Sequence, residues 1–369
     1  MLPVTRRAAL ILGSVGLAGV AAGCTGLDRN RPGGQAAAPG TAGAALIEPP
    51  VLHSSNGRLT TTLESAARSV RLAGRDVLAL SYADGIPGPT LRVRPGDTLA
   101  VSLRNALPDT TNLHVHGLHV SPEGNGDNPF VMIESGDSFD YQFDLPADHA
   151  PGVYWYHPHH HGRAADQVFG GLYGAIIVEE ADPIPAVRER VLVISDITLT
   201  RSDTVADATS MQKRAGREGD LVLVNGQLEP TLAARPGERE RWRIVNACVS
   251  RYLRLRLDGQ QLTLLGIDSG RFADARDVEE VVLAPGNRAD LLVTARAGES
   301  VLQSLDYDRS AGGMMGGGMG GGMGGGMGGG SGSGSATVTL ASLTVARDPA
   351  GGAAALPPQP PPPALPGEA

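Results

Sequence analysis

An all-β fold built from two tandem β-sandwich domains is predicted by three features of the 369-residue sequence. Apolar residues alternate with polar ones in short runs across residues 59–345, as in Leu99-Val101-Leu103, Leu253-Leu255-Leu257, Val281-Leu283 and Val338-Leu340. A period of two marks half-buried strands. Turn residues separate these runs, and no long stretch carries the 3.6-residue period of an amphipathic helix. Finally, one segment recurs without gaps. Pro89-Thr90-Leu91-Arg92-Val93-Arg94-Pro95-Gly96-Asp97, continuing to Asn105-Ala106, returns 141 residues later as Pro230-Thr231-Leu232-Ala233-Ala234-Arg235-Pro236-Gly237-Glu238, continuing to Asn246-Ala247. Two copies of one domain explain this better than chance identity in register.

Taken in order, the chain opens on an address. Thr5-Arg6-Arg7 precedes an apolar run, Ala8 to Gly23, that is shorter than the ~20 residues of a membrane span. A basic start and a short apolar run fit a signal peptide over residues 1–24. The paired arginines resemble a twin-arginine export signal, and Ala21-Ala22-Gly23-Cys24 resembles a lipobox, with Cys24 as the lipidated residue. The expected location is the cell envelope or periplasm, with contact to a membrane only through that lipid. Residues 25–55, rich in Gly, Ala and Pro, read as a flexible tether. Domain one is expected over 56–180 and domain two over 186–346. A Gly/Met-rich loop covers 312–335, and a Pro-rich linker of extended character covers 347–369.

Composition excludes several function classes. Thirty-one basic against thirty-nine acidic residues leave a net charge of −8, which argues against nucleic acid as a partner. Lys213 is the single lysine, so neither Schiff-base nor P-loop chemistry has a lysine where it would need one. Two cysteines, Cys24 and Cys248, cannot make a disulfide framework or a cysteine-rich metal centre.

The nine histidines carry the functional signal. Eight lie between positions 114 and 161, and none follows. His114 and His116 stand at i and i+2 in Leu113-His114-Val115-His116-Gly117, and His157 and His159 repeat the spacing after Tyr154-Trp155-Tyr156. On a strand this spacing puts both imidazoles on one face, about 6–7 Å apart. Two such strands bring four imidazoles to one locus. Neutral imidazole suits copper, zinc, iron and nickel, and copper binds most tightly among the divalent ions. His160 and His161 read as neighbours rather than direct ligands. His119 falls on the opposite face, and His149 and His53 read as incidental, in a loop and in the tether.

Together, Ile86-Pro87-Gly88-Pro89, the 113–117 motif and Trp155-Tyr156-His157-Pro158-His159-His160-His161-Gly162 resemble the multicopper oxidases, laccase-like and cuprous-oxidase-like proteins built of Greek-key cupredoxin domains. The resemblance covers the two domains. It implies that His114 binds a type 2 copper and that His116, His157 and His159 bind a type 3 pair, a partial cluster. It also implies that Asp127, in the loop after the first motif, is a carboxylate passing protons to the copper. Domain two resembles the family's copper-free middle domain, with Arg254 and Arg256 where domain one has its first histidine pair. Cys248 has no histidine partner for a type 1 copper and reads as a small buried thiol.

A complete family member has a third cupredoxin domain, which brings four more cluster histidines and the type 1 site. No matching motif occurs in this sequence. The expected function is therefore the family's one-electron oxidation of phenolic or Cu(I) substrates coupled to reduction of O2 to water. The chain is expected to be inactive by itself and completed by a third domain or partner chain. The alternative is a non-enzymatic, exported copper-binding and copper-tolerance lipoprotein. Met314, Met315, Met319, Met323 and Met327 punctuate the glycine run, and thioethers favour Cu(I), so the loop is a candidate Cu(I) site under either reading.

Overall fold

A computed structural model describes residues 42–308 and 336–346. The signal peptide, Cys24, the five loop methionines and the Pro-rich linker lie outside the described residues. Domain one runs β1 (Val51–His53), β2 (Arg58–Leu72), β3 (Arg75–Ser81), β4 (Thr90–Val93), β5 (Thr98–Asn105), β6 (His114–His116), β7 (Ser138–Asp144), β8 (Gly152–His157), α1 (Ala164–Gly170) and β9 (Gly174–Val178). Domain two runs β10 (Arg188–Ile197), α2 (Ser210–Ala215), β11 (Leu221–Val224), β12 (Thr231–Ala234), β13 (Arg239–Asn246), β14 (Leu253–Leu257), β15 (Gln261–Ile267), β16 (Arg276–Val278), β17 (Glu280–Leu283), β18 (Arg288–Thr294), β19 (Gly298–Leu305) and β20 (Val338–Val345). Among the described residues no helix is long and apolar enough to cross a membrane.

Each domain is a sandwich of two sheets. In domain one these are β1-β4-β9-β8-β6 and β3-β2-β5-β7; in domain two, β12-β20-β19-β14-β17 and β11-β10-β13-β18-β15-β16. Alternation buries one face of each strand: Leu99, Val101 and Leu103 of β5 point inward with Tyr141 and Phe143 of β7, as do Leu253, Leu255 and Leu257 of β14. The 141-residue repeat is structural. Strands β4 and β5 return as β12 and β13 with the same limits. The intervening turns match too. In one, Asp97 N donates to Arg94 O, Arg94 N donates to the Asp97 carboxylate, and Gly96 has φ +85°. In the other, Glu238 N donates to Arg235 O, Arg235 N donates to the Glu238 carboxylate, and Gly237 has φ +82°. A positive φ at that place favours glycine. The buried amides of Asn105 and Asn246 repeat as well, each donating to two backbone carbonyls and accepting from the residue two positions on, Leu107 or Cys248.

The two sandwiches are joined rather than strung. Val153, Trp155 and Ile177 of domain one share a buried apolar cluster with Val191, Val193 and Val245 of domain two. Beside it lies an ionic network. Glu180 accepts from Arg241 Nη1 at 3.0 Å and from Arg243 Nη2 at 3.2 Å. Asp290 and Glu189 complete it, Asp290 accepting from Arg241 Nε at 2.8 Å and Glu189 lying 2.9 Å from Arg243 Nε. The expected tether is corrected by this packing. Residues 42–55 are not free: β1 pairs in parallel with β4, Leu46 N donates to Thr231 O, and the Glu48 carboxylate accepts from Val191 N. Backbone donors and acceptors exposed on the edge strands of both domains recruit this segment. His53 accordingly sits on a strand, opposite Arg92.

Candidate metal centre

The first histidine pair and His157 end up on adjacent antiparallel strands; His159, expected on the same strand as His157, lies past the end of β8. β6 pairs with β8 so that His114 faces His157 and His116 faces Trp155. Inward-facing Val115, fully buried, fixes the register, so its two neighbours must project from the other face. There the His114 ring lies 5.4 Å from His116, 5.2 Å from His157 and 5.2 Å from His159, centre to centre. His114, His116 and His157 place one ring nitrogen each within 4.8 Å of one another. His159 joins them less tightly. It is exposed, its ring is 6.0 Å from His157, and its backbone N–H donates to Asn112 Oδ1 at 2.7 Å. All four line a cavity of about 250 Å³.

Hydrogen bonds decide which nitrogens face that cavity. Both Asp127 oxygens lie 2.9–3.0 Å from His114 Nδ1. A carboxylate accepts, so Nδ1 carries the proton and Nε2 keeps its lone pair. The Asp127 carboxylate also accepts from Val115 N, locking the loop to the strand. His157 Nδ1 donates to Pro158 O at 2.9 Å, leaving Nε2 bare. That nitrogen lies 3.2 Å from His116 Nδ1, which therefore donates to it in the metal-free state. Burial, with Arg288 and His114 nearby, lowers the His116 pKa to about 4. Burial likewise pushes His157 well below the usual imidazole range. Both rings are neutral at physiological pH, as a ligand must be. Two nitrogens 3.2 Å apart can share one ion at the ~2.0–2.1 Å typical of imidazole–metal bonds. An all-imidazole set with an outer carboxylate fits a borderline transition metal.

Several residues here were not assigned a role from sequence. Trp155 stacks on His157 with ring centres 3.9 Å apart, packing its back face. From domain two, Cys248, Val249, Pro285 and Gly286 close one wall. Cys248 is a buried thiol whose pKa burial raises, and it occupies the place of Leu107 in the repeat. His160 and His161 line a neighbouring cavity of about 630 Å³ with Asp166, Lys213 and Arg217. His149, expected to be incidental, is instead buried and structural: Nε2 accepts from His119 N and Nδ1 donates to Ala150 O. Its sequence context, Pro146-Ala147-Asp148-His149-Ala150-Pro151, carries no signal of that burial.

The domain-two counterpart of this locus is also in view. Leu255 points into the core as Val115 does, and Arg254 and Arg256 take the outward places of His114 and His116. Arg254 faces Leu305 on β19, where His114 faces His157. The arginines are spent on ion pairs with Glu280 and Asp258.

Comparison with known proteins gives two consecutive family matches, each described as multicopper oxidase, over residues 66–183 and 188–302. The chain is 29% identical over 309 residues to the multicopper oxidase MmcO of Mycobacterium tuberculosis, covering 74% of this chain and 60% of that protein. It is 30% identical over 298 residues to copper resistance protein A of Pseudomonas syringae pv. tomato, covering 67% and 48%. Among solved structures, a metallo-oxidase described as a multicopper oxidase from Campylobacter jejuni is similar at 31% identity with a TM-score of 0.72, covering 87% of this chain and 64% of that one. The chain thus spans about half to three-fifths of the length of these curated relatives.

Proposed function

Because the chain belongs to the multicopper oxidase family, we propose that His114, His116, His157 and His159 hold copper as one side of a multinuclear site, within an oxidase whose remaining ligands come from another polypeptide segment. The observation that carries this reading is the convergence of imidazole nitrogens from two strands onto one cavity within 4.8 Å. His114 would offer Nε2 to a type 2 ion, and His116 and His157 would share one ion of a type 3 pair, with His159 ligating the other. Copper bound there supplies one-electron transfer between Cu(I) and Cu(II), the chemistry needed to hand electrons on to dioxygen.

The chain's own residues prepare that chemistry. Asp127 holds the His114 proton on Nδ1 and so keeps Nε2 directed at the ion. As the carboxylate nearest the locus, it is the candidate to pass protons inward. Pro158 O does for His157 what Asp127 does for His114, without the charge. Buried Trp155 and Val168 line one side of the cavity with apolar surface.

Four imidazoles are half of what the family's trinuclear cluster needs, and no histidine follows His161. The substrate would be a phenol or Cu(I), with O2 as the acceptor in the assembled protein. Arg6-Arg7, the apolar run and Cys24 support export and lipid anchoring, and the five methionines between 314 and 327 support Cu(I) capture. A second reading, a copper-tolerance protein that stores or passes on copper without turnover, is favoured by one observation: among the described residues the converging imidazoles all come from a single domain, with no thiolate in the cluster. Metal analysis after dialysis, with oxygen uptake measured on the same sample, tests both. The purified chain should retain copper without blue colour and consume no oxygen. Loss of all copper on dialysis defeats both readings, and unaided oxygen reduction defeats the half-site.

A further inference from the structure

The wall that domain two places against the histidines includes one contact closer than packing requires. A Cβ built on Gly286 would stand 3.0 Å from His116 Cε1 and 3.6 Å from both His116 Nε2 and Trp155 Cζ2. Gly286 has φ +84°, and its turn is fastened at both ends: Gly286 N donates to Asn246 O, and Asn287 Oδ1 accepts from Ala284 N. Arg288, nearly fully buried, ties that turn to domain one. Its Nη1 donates to Gly286 O at 3.1 Å and meets Asp268 at 3.0 Å, while its Nε donates to Val153 O at 3.1 Å on β8. The same guanidinium presses on the residue after His116. A Cβ at Gly117, where φ is +87°, would lie 2.4 Å from Arg288 Nη2. Two glycines therefore leave the room this joint needs, Gly286 against the His116 ring and Gly117 against the Arg288 guanidinium.

We infer that domain two, which supplies none of the four histidines, positions His116: the Pro285–Gly286 turn, held by Arg288, covers the Cε1–Nε2 edge of the imidazole and leaves Nδ1 as the nitrogen offered to the cavity. The 3.2 Å contact of that Nδ1 with His157 Nε2 is the other half of the observation. His114 and His116 thus present opposite nitrogens although they sit on one strand, His114 because Asp127 holds its Nδ1 proton and His116 because a glycine turn occupies its far edge. Gly286 and Arg288 are positioning residues acting through His116. The inference rests on the copper reading for its consequence, not for its geometry.

Imidazole nitrogen NMR on the full chain, labelled with 15N-histidine and assigned with His116→Gln, tests it in the metal-free protein and with Cu(I) as the probe. In the parent, metal-free His116 should carry its proton on Nδ1, and Cu(I) should shift that nitrogen. Gly286→Ala should displace the His116 signals in the metal-free protein and weaken Cu(I) about tenfold in chelator competition, the lower end of what losing a supporting partner costs. Arg288→Lys, which keeps the charge but loses the fork to two carbonyls, should fall between parent and Gly286→Ala. Gly259→Ala controls for backbone strain, since Gly259 has φ +71° in the same domain with only Ser300 Oγ near its added methyl, at 3.9 Å; it should match the parent. Ligation of the parent through Nε2 overturns the inference, as do parent-like His116 signals in Gly286→Ala or an equal loss in Gly259→Ala. A parent that binds no Cu(I) defeats the copper reading instead, and the metal-free spectra still decide the positioning.

Discussion

The two sandwiches share a turn, a buried asparagine and the limits of two strands 141 residues apart, yet among the described residues only one of them converges donors. On β6 the outward places hold His114 and His116; on β14 they hold Arg254 and Arg256. On the neighbouring strands His157 stands where Leu305 does. Inward residues are the same in kind, because both domains must fill a core. Outward residues are freer to differ, because the core of each sandwich does not depend on them. A metal site on such a scaffold is a choice of surface residues on one sheet edge, and it can be written or erased without touching the sandwich.

The sharpest way to break that comparison is to remove a donor at matched places. His157→Ala should abolish tight copper retention, a loss beyond the ~10–100-fold that removal of an outer partner costs. Leu305→Ala, at the equivalent place in domain two, should leave copper per chain unchanged. Copper analysis after dialysis against a chelator reads both. Equal retention by the two variants would mean that the histidine face is not where copper sits.

The comparison also treats the domains as separable copies, and the buried ionic joint between them says otherwise. Burial alone would raise the Glu180 pKa, but Arg241 and Arg243 overcome it and bring it down to about 2 from the ordinary 4.5. A carboxylate with a lowered folded pKa contributes in full above its unfolded value, and the contribution is lost as pH falls through the folded one. The window is therefore about pH 5 to 2, and the shift corresponds to about 3 kcal/mol. Glu180→Gln leaves two buried guanidiniums short of a partner and should cost about 3–5 kcal/mol at pH 7. Denaturant unfolding at pH 7 and pH 3 should then show a shallower acid dependence in the variant than in the parent. An unchanged slope would place the acid sensitivity elsewhere.

Much of this was legible in residues and spacing. The repeat announced two sandwiches because turn chemistry at Arg94–Asp97 and Arg235–Glu238 is local, and local hydrogen bonds leave a local signature. The first H-x-H pair announced a common face because strand geometry fixes i and i+2. What stayed hidden is what long-range packing decides. Residues 42–55 have tether composition, yet they dock because strand edges elsewhere offer partners. Gly286 and Arg288 lie about 170 residues from His116 and belong to the other domain, so no spacing rule connects them. His159 has the spacing of a ligand but lies beyond the end of β8, where alternation no longer dictates its distance from the other three.

The smallest expected effect comes from writing the first motif into the second domain. Arg254→His with Arg256→His reproduces H-x-H on β14 at partly exposed positions, where the lost ion pairs with Glu280 and Asp258 are worth about 1 kcal/mol or less each. Stability should change little and copper per chain should not rise. The reason lies in the neighbours. Leu305 and Gln303 stand opposite the new pair, where β8 offers His157 and Trp155 opposite His114 and His116. In place of Asp127 holding a ring proton on Nδ1, the new histidines would find Glu280 beside position 254 and Asp258 beside position 256. Two imidazoles on one strand without a facing pair supply two ligands, too few for retention against a chelator. An additional equivalent of copper in this variant would show that a single H-x-H strand suffices, and that the facing strand in domain one is support rather than ligand.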